Sequence, residues 1–385
     1  MSILFLNATK LDADGEVDDF WMLVDGDTIT AVGSGPADRP TPGTGGLRAD
    51  EVVDLGGRHL TPGLVDLHTH GGGGFSYDKG ASEFAGALAT HRAHGTTRSL
   101  LSLVANPVPT LRASVAAIAE HTEADPLVLG AHLEGPFLAP DRRGAHHPHY
   151  LAPPEKIFVD ELLEAGAGAI RMITLAPELP SALPAIDTFV AAGTVVALGH
   201  TGADYGLARE AFDHGATVLT HAFNAMPGIH HRDPGPVVAA IDDDRVTIEL
   251  ILDGVHVHPS VARMLFEAAR GRVALVTDAM AAAGSDDGDY RLGDLNVTVV
   301  RGLAHLTGTP TIAGSTLTQD VALRVAVQRA RITPRDAVTA LTFTPARALG
   351  LDATIGRLAP GYVADAVQWD DDWTVERVWG AGAVL

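Results

Sequence analysis

Residues 63–74 read GLVDLHTHGGGG, an apolar run that ends in two histidines one residue apart and is followed by glycines. Apolar residues bounded by turn formers predict a buried β-strand here. Because side chains two positions apart share one face of a strand, Asp66, His68 and His70 should point to the same side. Two buried imidazoles at a strand end favour a metal site. A hydrogen-bonded core histidine is an alternative that this motif alone leaves open.

Similar apolar runs recur along the chain and alternate with helical patterns. After 63–70 they read TTRSLLSLV (96–104), LVLGAHLEG (127–135), AIRMITLAPE (169–178), TVVALGH (194–200), ATVLTHAFN (216–224), VTIELILDG (246–254) and RVALVTDAM (272–280). Helices are predicted at 81–94, 110–123, 181–192, 204–214, 259–270, 318–331 and 334–349. Strands that alternate with helices predict a parallel sheet, and eight such units predict an α/β fold of the closed (β/α)8 TIM-barrel type.

The two chain ends depart from this pattern and contain short strands and turns instead. We therefore predict a small accessory β-sandwich domain built from both ends, residues 1–62 and 353–385, beside a barrel at 63–352. The stretch PADRPTPGTGG (36–46) is linker-like, and residues 285–316 are interpreted as a hairpin insertion.

Composition excludes several classes of function. The chain has 385 residues and no cysteine, so any metal must be bound by His, Asp or Glu, and disulfides and thiolate nucleophiles are excluded. A formal net charge of −21 argues against binding to nucleic acids or anionic membranes. Neither a secretory signal nor a long apolar span is evident, so we expect a cytoplasmic protein.

Other predicted strands also end in residues that bind metals. Glu134 closes the third strand, His200 the fifth, His221 the sixth and Asp278 the eighth. Active sites of such barrels lie at the carboxyl ends of the strands, and metal-binding types at five of eight strand ends are improbable by chance. We therefore predict a metal site formed by His68, His70, Glu134, His200, His221 and Asp278.

This pattern resembles the amidohydrolase superfamily, whose members are metal-dependent barrel hydrolases with an accessory β domain. Many members carry a carboxylated lysine at the end of strand four. The stretch AIRMITLAPE contains no lysine, and Glu134 can supply the carboxylate instead. With this replacement, the sequence resembles one deacetylase branch of the superfamily. The resemblance covers about residues 50–365. The supporting motifs are HLEGPFLAPDRRGAHHP, LGHTGADY, THAFNAMPGIHHRDPG, DGVHVHP, LVTDAMAAAG and IAGSTLTQD.

The resemblance carries expectations about function. Members of that branch hydrolyse the acetamide of N-acetylglucosamine 6-phosphate to glucosamine 6-phosphate and acetate, in amino-sugar catabolism and cell-wall recycling. Asp278 then corresponds to the catalytic acid/base, and Glu134, His200 and His221 to metal ligands. The expected substrate-binding residues are Ala145, His146, Asn224, Ala225, Arg232, His256, Ile312, Ala313 and Gly314.

The resemblance also implies a homodimer in which Arg232 reaches the partner's active site and binds the phosphate group. Some members lack the paired histidines and use one metal. Because this chain keeps His68 and His70, we expect one or two divalent metals per chain. Zinc is the expected ion, with iron, cobalt or manganese as alternatives, since histidine and carboxylate ligands suit all four.

Alternatives remain at this stage. The chain could be another amidohydrolase that acts on a different N-acyl compound or cyclic amide, or a catalytically silent sugar-phosphate binding protein. Asp278 argues against the latter, because binding alone needs no proton shuttle. For Arg232 the alternative is a surface salt bridge to Asp233 or to a nearby carboxylate. For His146 it is a solvated loop histidine.

Overall fold

The computed structural model describes residues 1–35 and 49–385, so the linker-like stretch predicted at 36–46 lies outside the described part of the chain. Short strands occupy the N-terminal segment as predicted. They are β1 (Ser2–Asp12), β2 (Gly15–Asp25), β3 (Thr28–Ser34), β4 (Glu51–Asp54) and β5 (His59–Pro62). Strand β1 pairs antiparallel with β2 and parallel with both β4 and β5.

A barrel of parallel strands follows, with a short ribbon, β7–β8, after its first strand. In chain order the elements are β6 (Leu64–Thr69), β7 (Gly71–Gly72), β8 (Phe75–Ser76), β9 (Thr96–Leu103), β10 (Val128–Glu134), β11 (Ile170–Leu175), β12 (Val195–Leu198), β13 (Val218–Leu219), β14 (Thr247–Ile251) and β15 (Val273–Val276). The sheet order β6-β9-β10-β11-β12-β13-β14-β15 follows the chain, so successive strands are neighbours. The predicted barrel is confirmed.

The first and last barrel strands meet through hydrogen bonds near their carboxyl ends rather than along a ladder. The Asp278 N–H donates to the His68 carbonyl at 2.8 Å, and the His70 N–H donates to the Ala279 carbonyl at 2.7 Å. The ring of strands is therefore nearly closed. This closure brings the predicted ligands of β6 next to Asp278.

The α-helices of the described residues are α1 (Ala81–Ala93), α2 (Val108–Ala124), α3 (Lys156–Gly166), α4 (Ala182–Ala191), α5 (Tyr205–Asp213), α6 (Gly235–Ile241), α7 (Pro259–Ala268), α8 (Gln319–Arg324), α9 (Pro334–Leu341) and α10 (Phe343–Ala348). The prediction of a single helix at 334–349 is wrong, because the helix is interrupted at Thr342, between α9 and α10. In a continuous helix the ring of Pro345 would clash with the carbonyl of Leu341. The helix predicted at 318–331 continues beyond α8 as a π-helical turn, Val325–Arg329.

The predicted insertion is a three-stranded antiparallel sheet within the described residues, not a simple hairpin. Its strands are β16 (Gly288–Leu292), β17 (Leu295–Val300) and β18 (Leu303–Leu306). Val297 and Val299 of β17 pack in one cluster with Met280, which follows the last barrel strand, and Ala313, which follows the insertion. The insertion therefore covers part of the barrel's carboxyl-terminal mouth.

The chain ends in β19 (Ala366–Trp369), β20 (Val375–Gly380) and β21 (Ala383–Val384). Strand β19 pairs antiparallel with β5, with Ala366 opposite Pro62 and Trp369 opposite His59. Strands from both chain ends thus form one sheet, as predicted. Phe5, Met22 and Trp379 are among the buried residues of its core.

Burial follows the alternation of the barrel strands. Leu133, Ile173 and Leu250 pack in the large cluster between the strands and the helices. The polar residues at neighbouring positions, including His132, Thr174 and Glu249, are also buried. None of the described helices is long and apolar enough to cross a membrane.

A buried ion pair joins the barrel to the accessory sheet. The Arg98 guanidinium on β9 donates to both carboxylate oxygens of Asp365, at 2.7 and 3.1 Å. The Ala381 N–H donates to the same carboxylate at 2.7 Å. Both charged side chains are more than nine-tenths buried. Removal of one partner would therefore leave an uncompensated charge in the interior.

We predict that Asp365→Ala lowers the free energy of unfolding by about 3–5 kcal/mol, because the Arg98 charge would stay buried without a partner. Urea denaturation measures the effect. Asp371→Ala is the control, since Asp371 pairs with Arg58 at an exposed site, and its effect should be about 0.5 kcal/mol or less. Equal effects of the two substitutions would contradict the role of the buried pair.

Candidate functional site

A single buried carboxylate, Glu134 at the end of β10, lies at the centre of the predicted site. Four imidazole Nε2 atoms from three other strand ends surround its two oxygens. The distances are 3.0 Å to His200, 3.1 Å to His221, 3.2 Å to His70 and 3.4 Å to His68. The carboxyl ends of parallel strands meet at one end of the barrel, which is why residues so distant in sequence converge here.

The glycines after His70 give the chain room to turn back. A Cβ on Gly71 would lie 2.2 Å from the carbonyl oxygen of Phe75, and Gly73 and Gly74 have φ values of 63° and 90°. Side chains at these positions would be strained or would clash. The tract therefore lets the chain fold away immediately after the histidine pair.

One group of atoms has the spacing of a metal coordination shell. Glu134 Oε1, His200 Nε2 and His221 Nε2 lie 3.0–3.1 Å apart. Bonds of about 2.0–2.1 Å in a tetrahedral shell place ligand atoms about 3.3 Å apart. His200 Nδ1 donates to the Arg142 carbonyl at 2.9 Å, so a neutral ring turns its Nε2 lone pair toward the carboxylate. This lone pair and the carboxylate oxygen repel each other. A cation between them removes the repulsion, so the group fits a metal.

A second group adjoins the first and shares Glu134. His68 Nε2 lies 3.1 Å from His70 Nε2, and Asp278 Oδ1 lies 3.6 and 3.4 Å from these two nitrogens. Glu134 Oε2 is 3.2 Å from His70 Nε2. This spacing also fits a coordination shell. The structure thus brings together all six predicted ligands, in two groups that could each hold a cation.

The charges of the second group are strongly coupled. Burial opposes a charge on either histidine. Nevertheless, Glu134 and Asp278 raise the pKa of His68 well above its ordinary value and the pKa of His70 to about 9. Burial also opposes the ionisation of Asp278, but His68 and His70 lower its pKa to about 2. Protons therefore compete with a metal for these imidazoles.

His146 is buried beside these groups, so the alternative of a solvated loop histidine is wrong. The Ala105 N–H donates to His146 Nδ1 at 3.1 Å, which places the proton of the neutral ring on Nε2. Burial lowers the pKa of His146 to about 4, so the ring is neutral at pH 7. Its Nε2–H lies 3.2 Å from Glu134 Oε2 and acts as a hydrogen-bond donor in this tautomer, not as a metal ligand.

A cavity of about 290 Å³ opens above the two groups. Glu134, His70 and Asp278 lie in its wall. Predicted substrate-binding residues also line it, namely Ala145, His146, Asn224, Ala225, His256, Ile312 and Gly314. Ala313 is buried beside them against Met280. His256 donates from Nδ1 to Asp253 at 2.7 Å, and this contact raises the pKa of His256 although burial opposes it.

Arg232 differs from the other predicted site residues. It is exposed on the loop after β13 and does not line the cavity of its own chain. The structure shows no ion pair between Arg232 and Asp233; instead the Arg232 N–H contacts His230 Nδ1 at 3.4 Å. The alternative of a salt bridge to Asp233 is therefore not observed in the described residues. Arg232 remains free to contact a second chain.

Several residues of the site were not predicted. Glu249 is buried on β14, and Leu292 and Thr311 from the insertion region line the cavity. The carboxylate inside the apolar stretch TIELIL was a usable signal for Glu249, because charged residues are rarely buried without partners. The Arg142 carbonyl that binds His200 has no such signal, since every residue carries a carbonyl.

Comparisons with known proteins find relatives over most of the chain. The profile of the amidohydrolase family matches residues 59–384. The N-acetylgalactosamine-6-phosphate deacetylase of Escherichia coli O157:H7 is 37% identical over 86% of this chain and 89% of its own. The N-acetylglucosamine-6-phosphate deacetylase of Danio rerio is 35% identical over 87% of this chain and 86% of its own.

A solved structure is similar throughout. It is a mutant N-acetyl-D-glucosamine-6-phosphate deacetylase from Mycobacterium smegmatis in complex with N-acetyl-D-glucosamine-6-phosphate. It superposes with a TM-score of 0.92 at 42% identity and covers 100% of this chain and 99% of that chain. The similarity therefore includes the barrel and the sheet formed by both chain ends.

We predict that the metal-replete protein holds up to two divalent metals per chain and that the double substitution His68→Gln, His70→Asn leaves one. Elemental analysis of protein purified without chelator measures this. The metal affinity of the second group should rise with pH up to about 9, because protons compete with the metal for His70. His149→Gln, at an exposed histidine, is the control and should keep both metals. A wild-type content that never exceeds one would contradict the prediction.

Proposed function

Since this chain belongs to the amidohydrolase family, we propose that it hydrolyses the acetamide of N-acetylglucosamine 6-phosphate to glucosamine 6-phosphate and acetate. The observation that carries the proposal is the Glu134 carboxylate shared by two groups of ligands in the wall of a cavity that also exposes Asp278. The similarity to deacetylases of phosphorylated amino sugars supplies the substrate class. Such a reaction belongs to amino-sugar catabolism and cell-wall recycling.

We propose zinc as the metal, with iron, cobalt and manganese as alternatives that suit the same ligands. Glu134, His200 and His221 would hold one ion, and His68, His70 and Asp278 would hold a second with the other oxygen of Glu134. A divalent metal in such a site lowers the pKa of water towards about 7 and polarises an amide carbonyl.

The protein's own groups then have distinct tasks. Asp278 is anionic at neutral pH, because the neighbouring histidines lower its pKa to about 2 despite burial. Its carboxylate accepts the proton of the attacking water and returns it to the amide nitrogen as the C–N bond breaks. The His146 ring lines the same cavity, and a bound substrate would compete with Glu134 Oε2 for its Nε2–H, which can donate to the acyl oxygen or to a sugar hydroxyl.

The phosphate group needs cations in a chain of net charge −21. We propose that His256 and Arg232 supply them, with Arg232 donated by the partner in a homodimer. A guanidinium binds phosphate through two parallel hydrogen bonds. The exposed position of Arg232 outside its own cavity supports this arrangement.

The remaining parts of the proposal concern cell and chain organisation. We propose a cytoplasmic enzyme, because dianionic sugar phosphates do not cross lipid bilayers unaided. Neither nucleic acids nor membranes are expected as partners. For the domains we propose a barrel at 63–352 and an accessory domain formed by 1–62 and 353–385.

A second candidate substrate is N-acetylgalactosamine 6-phosphate, which differs only in the configuration at C4. The similarity to the Escherichia coli deacetylase of that sugar favours it. Both sugars present the same acetamide and phosphate groups to the residues discussed above. Relative kcat/KM values for the two epimers decide which is the better substrate.

The function is tested by acetate release from both sugar phosphates and from unphosphorylated N-acetylglucosamine, and by ring opening of a cyclic amide. We predict that Asp278→Asn lowers kcat by about 10²–10⁴-fold, because an amide cannot shuttle the proton. The metal held by Glu134, His200 and His221 should remain. Turnover of the cyclic amide alone would favour another amidohydrolase, and binding without turnover would indicate a silent binding protein. Asp278→Asn activity within a few-fold of wild type would refute its role.

We predict that Arg232→Ala raises KM for the phosphorylated sugar about ten- to a hundredfold, because a lost charge-assisted hydrogen bond costs about 1.5–3 kcal/mol. The poor rate on the unphosphorylated sugar should barely change. Mixed Asp278→Asn and Arg232→Ala chains test the interface, since a hybrid dimer would contain one site with both functional groups. Absence of recovered activity despite subunit exchange would place Arg232 elsewhere.

A further inference from the structure

Glu249 is a completely buried carboxylate that the reaction described above does not use. It lies on β14 inside the barrel, where a charge is unfavourable unless specific contacts offset the cost. Its Oε2 is 3.3 Å from His68 Nδ1 and 3.4 Å from the backbone nitrogen of His221. Glu249 therefore contacts one residue of each ligand group, His221 of the first and His68 of the second.

The contact with His68 determines which ring nitrogen carries the proton. A carboxylate oxygen accepts hydrogen bonds and an imidazole N–H donates them, so His68 Nδ1 donates to Glu249 Oε2. The Nε2 of the neutral ring is then free of hydrogen and faces His70, Glu134 and Asp278. A ring protonated on Nε2 alone would have no lone pair there to bind a cation.

His132 is also buried beside His68, but it does not bond to His68 Nδ1. The His132 ring lies edge-on to the His68 ring, with centroids 4.5 Å apart. Both of its nitrogens are already engaged, with Ser102 at 2.9 Å and Thr174 at 2.8 Å. Within the described residues, Glu249 is therefore the group that bonds to His68 Nδ1.

We propose that Glu249 is a positioning residue that holds the His68 ring, through its Nδ1–H, in the tautomer and orientation required to bind the second metal. It contacts only the backbone of His221, whose side chain belongs to the first group. Loss of the acceptor should therefore weaken the second metal more than the first. The inference rests on the proposed metal-dependent function but can be tested without turnover.

Three variants of the full chain separate this role from a general effect on the barrel. Glu249→Gln keeps an oxygen that can accept from His68, whereas Glu249→Met has a similar length but no comparable acceptor. Thr247→Val is the matched control, because Thr247 is a buried position two residues earlier on the same face of β14. Zn²⁺ titration against a competing chelator gives stepwise affinities, and elemental analysis gives the occupancy.

We expect Glu249→Met to weaken the second Zn²⁺ about 10–100-fold and the first only a few-fold, since partners of ligating histidines typically contribute this much. Glu249→Gln should restore the second affinity to within a few-fold of wild type, and Thr247→Val should match wild type. The absorption of Co²⁺-loaded Glu249→Met should lose the component that appears with the second equivalent.

Wild-type affinities in Glu249→Met, or equal weakening of both metals in the folded protein, would overturn the proposal. If Glu249→Met does not fold, Glu249→Asp decides, because it keeps the charge but withdraws the acceptor by one methylene. It should show the same selective loss, and full second-site affinity there would overturn the proposal. A wild-type protein that binds two metals in this pattern but releases no acetate would refute the proposed activity alone.

Discussion

The site depends on one electrostatic constraint, the crowding of imidazole nitrogens around a single buried carboxylate. The Nε2 atoms of five histidines lie within 3.4 Å of the Glu134 oxygens, and the residues are His68, His70, His146, His200 and His221. The Nε2–H of His146 donates a hydrogen bond to the carboxylate. The other four can remain this close only if protons or metal ions lie between nitrogen and oxygen. Their convergence thus implies cation binding more strongly than any one histidine does.

The barrel holds these groups in backbone conformations that are intrinsically unfavourable. His200, His221 and Asp278 have φ values of 47°, 28° and 47°, in the region that residues other than glycine rarely adopt. Each costs about 1–3 kcal/mol and persists only where the surroundings enforce it. The Arg142 carbonyl binds the His200 ring, and the Asp278 N–H binds the first strand of the barrel. Stability contributed by the barrel therefore compensates for strain at the ligands.

The barrel and the cluster of strand-end ligands could be predicted because both follow from the alternation of strands. The substrate-binding residues were expected only from the family resemblance. Two-residue periodicity placed His68 and His70 together, and parallel strands brought Glu134 and Asp278 to the same end. Contacts that depend on the backbone or on a second chain could not be derived in this way. The Arg142 carbonyl has no sequence signal, and the side chain of Arg232 lies outside its own cavity. Periodicity also overstated the sixth strand, whose ladder spans only Val218–Leu219.

The pairing of β5 with β19 has a consequence for the order of events during biosynthesis. Pro62 lies opposite Ala366, about 300 residues later in the chain. A ribosome adds about 5–20 residues per second, so β19 is synthesised roughly 15–60 s after β5. Throughout that interval the edge of β5 is unpaired and can join other chains. The nascent N-terminal segment therefore carries an unpaired strand edge until about 300 further residues have been synthesised.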